Sequence, residues 1–222
     1  MTQLTEVALN APTLIAPINA AKELFWRQGY DETSIEDVVC ATGMNRYALY
    51  NAFGGKLELF LAVLESYFVE RKNLFMTALS DPQGGPMAAI REVSEYCITE
   101  MTDRGAGCLM CDVAAEVGRY DKAVSERVLS YLEEIRRADE MALTQAEARG
   151  ELNTAISPKE GAALLIANML GVGAMARNGA GRKELMTLFN TCLRLLSRQN
   201  GAQNQLRSSR NHKPTTVKQA QN

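Results

Sequence analysis

Residues 33–53 read Thr33-Ser34-Ile35-Glu36-Asp37-Val38-Val39-Cys40-Ala41-Thr42-Gly43-Met44-Asn45-Arg46-Tyr47-Ala48-Leu49-Tyr50-Asn51-Ala52-Phe53. Two short helices are legible in this string. Thr33 to Glu36 has the form of a capping box: the Thr33 hydroxyl accepts from the Glu36 amide and the Glu36 carboxylate reaches back to the cap. Ile35, Val38 and Val39 then share one face. Gly43 supplies the left-handed residue that ends the first helix at little steric cost. Asn45 is a good N-cap for a second helix from Arg46 to Ala52. Two such helices across a three- to four-residue turn with glycine make a helix-turn-helix, whose second helix enters the major groove when the motif binds DNA. Small helical bundles use the same turn, so an adaptor that makes protein contacts with it stays open.

Upstream, Ile18, Ala21, Leu24 and Phe25 form one stripe that stops near Gly29. Proline is tolerated in a first helical turn and breaks an interior, so Pro17 predicts a start at residues 14–17. Downstream, a helix opens at Gly55-Lys56 and carries Leu57, Leu59, Phe60, Val63, Leu64 and Tyr67. With this helix included, punctuation at 82–86, 105–107, Gly150, Pro158 and 179–181 divides the rest of the chain into about six longer helices, one of them spanning Asp121 to Arg149. No period-2 strand is found, so the fold class is all-α with about nine helices. The expected organisation is an N-terminal arm (1–16, flexible or partly helical), a helix-turn-helix domain (17–62), a larger helical body (63–199) and a basic tail (200–222). Ala202 to Asn222 has four Lys/Arg, no acid and almost no apolar residue, a composition that predicts disorder.

Composition excludes several classes. Hydrophobic residues are 46% and charged residues 23%, ordinary for a globular chain. No stretch approaches the roughly 18 apolar residues of a membrane span, and residues 1–11 lack the basic and apolar regions of a signal peptide. The expectation is cytoplasmic, with no membrane partner. Five cysteines, an odd number, argue against a disulfide framework. The single histidine, His212, sits in the polar tail, which removes His-based acid–base chemistry and most His-containing zinc sites. A helical-bundle enzyme would need paired carboxylates or histidine ligands on facing helices. The reading is therefore not an enzyme, with no cofactor and no metal. Net charge is −2, and residues 1–72 hold six Lys/Arg against nine acids, so DNA binding must rest on where a few charges sit.

The run from Ile18 through Ala20-Ala21, Leu24-Phe25, Gly29-Tyr30, Thr33-Ser34-Ile35 and Asp37-Val38 resembles the start of TetR-family regulators. Its continuation through Ala41, Gly43-Met44, Ala48-Leu49-Tyr50, Phe53-Gly54, Lys56 and Leu59 does so too, over residues 17–60 in order and spacing. The resemblance implies a homodimeric regulator, most often a repressor, that leaves a palindromic operator when a small molecule binds its C-terminal body. It implies DNA contacts from Thr33, Ser34, Asn45, Arg46, Tyr47, Tyr50 and Asn51, with Lys56 at the backbone. The chemistry agrees: a helix N-terminus with a nearby cation suits phosphate, Arg46 suits a guanine edge, and tyrosines offer hydroxyls and apolar area. Tyr50 is equally readable as partly core; Trp26, Leu49 and Phe53 read as core, and Cys40 as a small buried hydrophobe. Gly55 stands where relatives often have serine, Asn51-Ala52 where an aromatic–histidine pair is common, Pro17 where an aliphatic residue is usual, and the basic arm is missing. Backbone neutralisation, and with it the salt slope, should be modest.

In the body, residues 105–116 resemble a branch of the same family in which a Gly-Cys pair opens the sixth helix. Soft and amphipathic residues mark candidates for the unidentified effector's site: Tyr96, Cys97, Met101, Cys108, Met110, Tyr120, Tyr131, Met141 and Met169. Core packing is the competing reading for each. Cys108 and Cys111 form a Cys-x-x-Cys; Cys108 at a helix N-terminus would be a reactive thiolate, against the alternative of an inert buried thiol. The family's dimer surface implies Leu164, Leu165, Phe189 and Leu196 at the last two helices. Residues 162–173 are apolar all round, as a helix covered by its own chain and a partner would be.

Overall fold

The computed structural model describes residues 12–80, 84–116 and 121–198. Among these residues the chain forms nine helices: α1 (Pro12–Gln28), α2 (Ile35–Thr42), α3 (Arg46–Phe53), α4 (Lys56–Ser80), α5 (Pro86–Arg104), α6 (Leu109–Glu116), α7 (Lys122–Ala148), α8 (Pro158–Arg177) and α9 (Arg182–Leu196). The one β feature among them is an isolated antiparallel bridge between Leu152 and Ser197, which ties the α7–α8 link to the end of α9. No described helix is long and apolar enough to cross a membrane. The basic tail and its histidine, Tyr120 and the arm residues before Pro12 lie outside the described residues.

α1 starts at Pro12, earlier than residues 14–17, and keeps Pro17 inside it. Leu14 packs against the core and extends the helix upstream, while Ile18, Ala21, Leu24 and Phe25 hold it beyond the proline. The capping box is real but one residue later: Ser34 caps α2 and Asp37 answers it. Thr33 is buried, and its hydroxyl donates to the Gly29 carbonyl at 2.6 Å. Asn45 caps α3 as expected, its Oδ1 accepting from the Ala48 amide at 2.8 Å. Cys40 is exposed and is not core.

At 25 residues, or about 37 Å, α4 runs from the helix-turn-helix half into the body. One buried cluster joins α1–α4 to α6 and the start of α7, through Phe25, Leu49, Phe60, Leu64, Leu109, Met110 and Val128. A second joins α5, α7, α8 and α9 through Ile98, Leu143, Leu165, Phe189 and Leu193. The boundary drawn at 62/63 falls inside α4, and the first cluster continues across it. Cys108 packs against both clusters, so the corner between α5 and α6 is where the two halves meet.

Leu165, Phe189 and Leu196 are closed into the protomer's own core, at 2%, 0% and 0% exposure. Those side chains are unavailable to a partner, because the stripes of α8 and α9 are wide and their inner halves pack on α5 and α7. The outer halves present Leu164, Leu188 and Leu195 to solvent.

Candidate nucleic-acid interface and internal cavity

α3 buries Leu49 and Phe53 and turns its other face outward. Tyr47 is 82% exposed and Tyr50 49%, and Asn45, Arg46 and Asn51 are exposed beside them. Arg46 pairs with Glu36 across the turn. Both side chains are in solvent, so the pair is weak and the guanidinium can exchange its partner for a phosphate or base edge. Ser34 is exposed at the N-terminus of α2. Its hydroxyl donates to the Asp37 carboxylate at 2.6 Å, and these bonds hold the Asp37 pKa below its usual range.

Two of the residues predicted to touch DNA are placed differently. Thr33, at 1% exposure, has no surface to offer a duplex. The Lys56 ammonium donates to the Tyr30 and Thr33 carbonyls at 2.7 Å each and lies 4.1 Å over the Tyr30 ring. It braces the α1–α2 turn against α4, and these two carbonyls account for two of its three N–H groups.

Inside the body lies a cavity walled by α1, α4, α5, α6, α7 and α8. Of the predicted residues, Cys97, Met101, Cys108, Met110, Tyr131 and Met169 line it. Tyr96 and Met141 do not: they are 54% and 60% exposed on the outer faces of α5 and α7. Leu165, assigned to a dimer surface, is part of the cavity wall.

Sequence reasoning missed the polar groups of the wall. Arg71 is buried, pairs with Glu100, and stands 4.8 Å over the Tyr67 ring, while its Nε has no partner. Asp139 is 4% exposed and makes no ion pair or hydrogen bond among the described residues. Burial raises its pKa to about 7. A signal existed for Asp139: it interrupts the α7 stripe of Ile135, Ala142, Leu143 and Ala146 at helical spacing.

This predicts a pH dependence. A carboxyl whose folded pKa lies above its unfolded value of about 3.9 leaves the native state binding more protons between the two. Its neutral form costs little below pH 4, and stability falls as pH rises towards 7. Asp139→Asn is expected to raise the melting temperature at pH 8 and leave it nearly unchanged at pH 4. Equal effects at both pH values would show that Asp139 is paired in solution.

Cys108 directly precedes α6. The Cys111 thiol donates to the Leu170 carbonyl at 3.6 Å. The neighbouring Cys111 and the first amides of α6 hold the Cys108 pKa below its usual value against the opposing effect of burial, while Cys111 is raised by Cys108 and by its own burial. Burial pushes Cys97 up to about 11.

The corner before α6 is also bonded to α1 and α8. Trp26 lines the cavity, and its Nε1 donates to the Gly107 carbonyl at 3.2 Å. Arg177 Nη1 donates to the carbonyls of Trp26 (3.0 Å) and Ala106 (3.1 Å) and to the Asp112 carboxylate (3.1 Å). Arg104 pairs with Glu23 of α1 at 2.6 Å and lies 4.8 Å over the Trp26 ring. A Cβ at Gly173 would meet Cys111 Sγ at 2.7 Å and Cys108 Cβ at 2.8 Å. A wall residue of the cavity, on α1 of the helix-turn-helix half, is thus bonded to the corner before α6 and to α8. The sequence reading placed the indole in the core, which matches its burial and missed its polar contact.

Two family models match the chain. "Bacterial regulatory proteins, tetR family" covers residues 18–63, and "Tetracyclin repressor-like, C-terminal domain" covers residues 86–188. The HTH-type transcriptional repressor ComR of Escherichia coli strain K12 is 32% identical over 192 residues, 81% of this chain and 87% of that one. A TetR transcriptional regulator from Chloroflexus aurantiacus superposes with a TM-score of 0.71 at 25% identity, covering 82% of this chain and 92% of its own. A cysteine-substituted variant of the TetR-family regulator CifR, solved on 26-base-pair operator DNA, has a TM-score of 0.71 at 21% identity, with 82% and 95% coverage.

Proposed function

The chain belongs to the TetR family of bacterial regulatory proteins, and on that premise we propose that it is a homodimeric repressor released from a palindromic operator by a small molecule in its cavity. The observation that carries this is the bonded path just described: the cavity wall at Trp26, the α5–α6 corner, and α1, which packs on α2 and α4, the two helices that flank α3. A ligand that displaces the indole disturbs the contacts that set where α3 stands. Its effect on DNA affinity equals its difference in affinity for the two arrangements. Ser34, Asn45, Arg46, Tyr47, Tyr50 and Asn51 would face the duplex, with the spare Lys56 N–H on phosphate. The exposed leucines of α8 and α9 would meet across a two-fold axis, setting the two α3 helices about 34–36 Å apart for adjacent major grooves.

The test is fluorescence anisotropy on duplexes tiled across the DNA flanking its own gene, with light scattering on the same sample. A dimer holding one duplex well above random sequence at about 150 mM salt supports the reading. Tyr47→Ala should weaken that complex by about tenfold or more, with the fold intact because the side chain is exposed. A monomer, or binding no better than to random DNA, would sink it.

The thiolate-favouring surroundings of Cys108 carry a second reading of how release begins. Its sulfur would add to the β-carbon of an α,β-unsaturated carbonyl, the new S–C bond forming as the π electrons move to oxygen, with water then supplying the proton. Cys108→Ser should bind operator normally and lose release by such an electrophile. If both proteins are released alike, the thiol is structural.

A further inference from the structure

The cavity's charges point to a class of ligand, an inference that rests on reading it as the effector site. Its lining holds three formally charged side chains, Arg71, Glu100 and Asp139. Arg71 is already compensated by Glu100, and the Tyr67 ring covers its guanidinium. An anionic ligand would find that cation engaged and would meet a second carboxylate. Asp139 has nothing. It is a buried carboxyl at a cavity wall with no ion pair or hydrogen bond among the described residues, a placement that costs stability unless something completes it. The aromatic wall of Trp26, Tyr67 and Tyr131 accepts the hydrocarbon of such a ligand, one face of Trp26 and of Tyr67 being already covered by Arg104 and Arg71 and one of Tyr131 by Phe68.

We propose that the cavity binds a lipophilic amine in its protonated form, the ammonium against the Asp139 carboxylate and the hydrocarbon along Trp26, Tyr67 and Tyr131. The unpartnered Arg71 Nε offers one further hydrogen bond to a neutral acceptor on the ligand. Ionising Asp139 as the amine arrives costs little at neutral pH, because the carboxyl is held near half-protonation there. Cys97 stays neutral and adds no competing charge.

The test uses the full chain and the fluorescence of Trp26, its single tryptophan. The probes are 4-phenylbutylamine, 4-phenylbutan-1-ol and 4-phenylbutanoate, one scaffold carrying an ammonium, a hydroxyl and a carboxylate. The expected order of affinity is amine, alcohol, carboxylate, with the amine ahead of the alcohol by about tenfold. Asp139→Asn should bring amine and alcohol level, with helical content checked by circular dichroism. Asp139→Glu should restore the preference, which a merely structural role would not. Equal affinities in the wild type, or the carboxylate binding tightest, would overturn the cation preference while leaving the cavity a ligand site. Saturation by none of the three, in protein that still holds operator DNA, would overturn the effector-site reading as well.

Discussion

Replacing Gly173 with valine is expected to weaken operator binding by about tenfold or more while the chain keeps its helical content. The reason is a packing conflict far from DNA. A Cβ there would lie 2.7 Å from Cys111 Sγ and 2.8 Å from Cys108 Cβ, well inside van der Waals contact. Overpacking of this kind costs about 1–3 kcal/mol, relieved by moving whichever partner is held less firmly. α8 is held by α5, α7 and α9, whereas α6 is eight residues long and begins at the corner that contacts Trp26. The displacement therefore falls on α6, and through Gly107 and Trp26 on the position of α1. Gly173→Ala should do the same to a smaller degree, and Cys111→Ala should relieve part of it by removing the nearest atom. Anisotropy on operator DNA with parallel thermal unfolding separates the outcomes. A lower melting temperature with unchanged operator affinity would mean that the corner is only a packing site, with no influence on α3.

How far the sequence could be read depends on which kind of contact decides each position. Local chemistry found the helix-turn-helix, the Gly43 turn, the Asn45 cap and the α7 boundaries, because those signals lie within four residues of what they control. It was one residue out at α2, where Thr33-Ser34 and Glu36-Asp37 offer two equivalent hydroxyl–carboxylate pairings. The tie is broken from outside the motif: Thr33 is drawn inward by the Gly29 carbonyl, leaving the cap to Ser34. Lys56 shows the same limit. The family pattern located it, but its acceptors on Tyr30 and Thr33 lie 26 and 23 residues away.

The cavity was only partly legible for a different reason. Helical periodicity marks residues that face inward and is silent on whether their neighbours fill the space. Met101, Met110 and Met169 face a gap, and the apolar Met141 faces solvent, from text of the same kind. The reverse error holds for α8 and α9, where a broad apolar stripe was shared out to a partner although the protomer takes Leu165, Phe189 and Leu196 for itself. A charge within an apolar stripe was the sharper signal. Asp139 is the clearest example, and Arg71 in α4 is another.

Arg71 carries the second large prediction. The residue is 7% exposed and its guanidinium is bonded to Glu100, whose side chain is 20% exposed and has Arg104 Nε as a further partner at 3.3 Å. Arg71→Met keeps an unbranched, flexible apolar stem, shorter than arginine, and removes the charge. Breaking a buried pair from one side costs about 3–5 kcal/mol, because the remaining ion stays desolvated. Arg104 offsets some of that for Glu100, which places the expected loss near the lower end, about 3 kcal/mol. In a chain of this length that is a fall of roughly 6–12 °C in melting temperature. Adding Glu100→Gln removes the stranded charge and should recover most of the loss, since a buried pair exchanged for neutral groups of similar volume is often close to neutral in stability. The double variant should therefore melt above Arg71→Met alone. If the two melt together, Arg71 is held by the Tyr67 ring and its own packing, and Glu100 is not its counterion in solution. The same pair of proteins bears on the cavity. With Arg71 and Glu100 both neutral the net charge of the wall is unchanged, so the double variant should keep the amine preference assigned to Asp139.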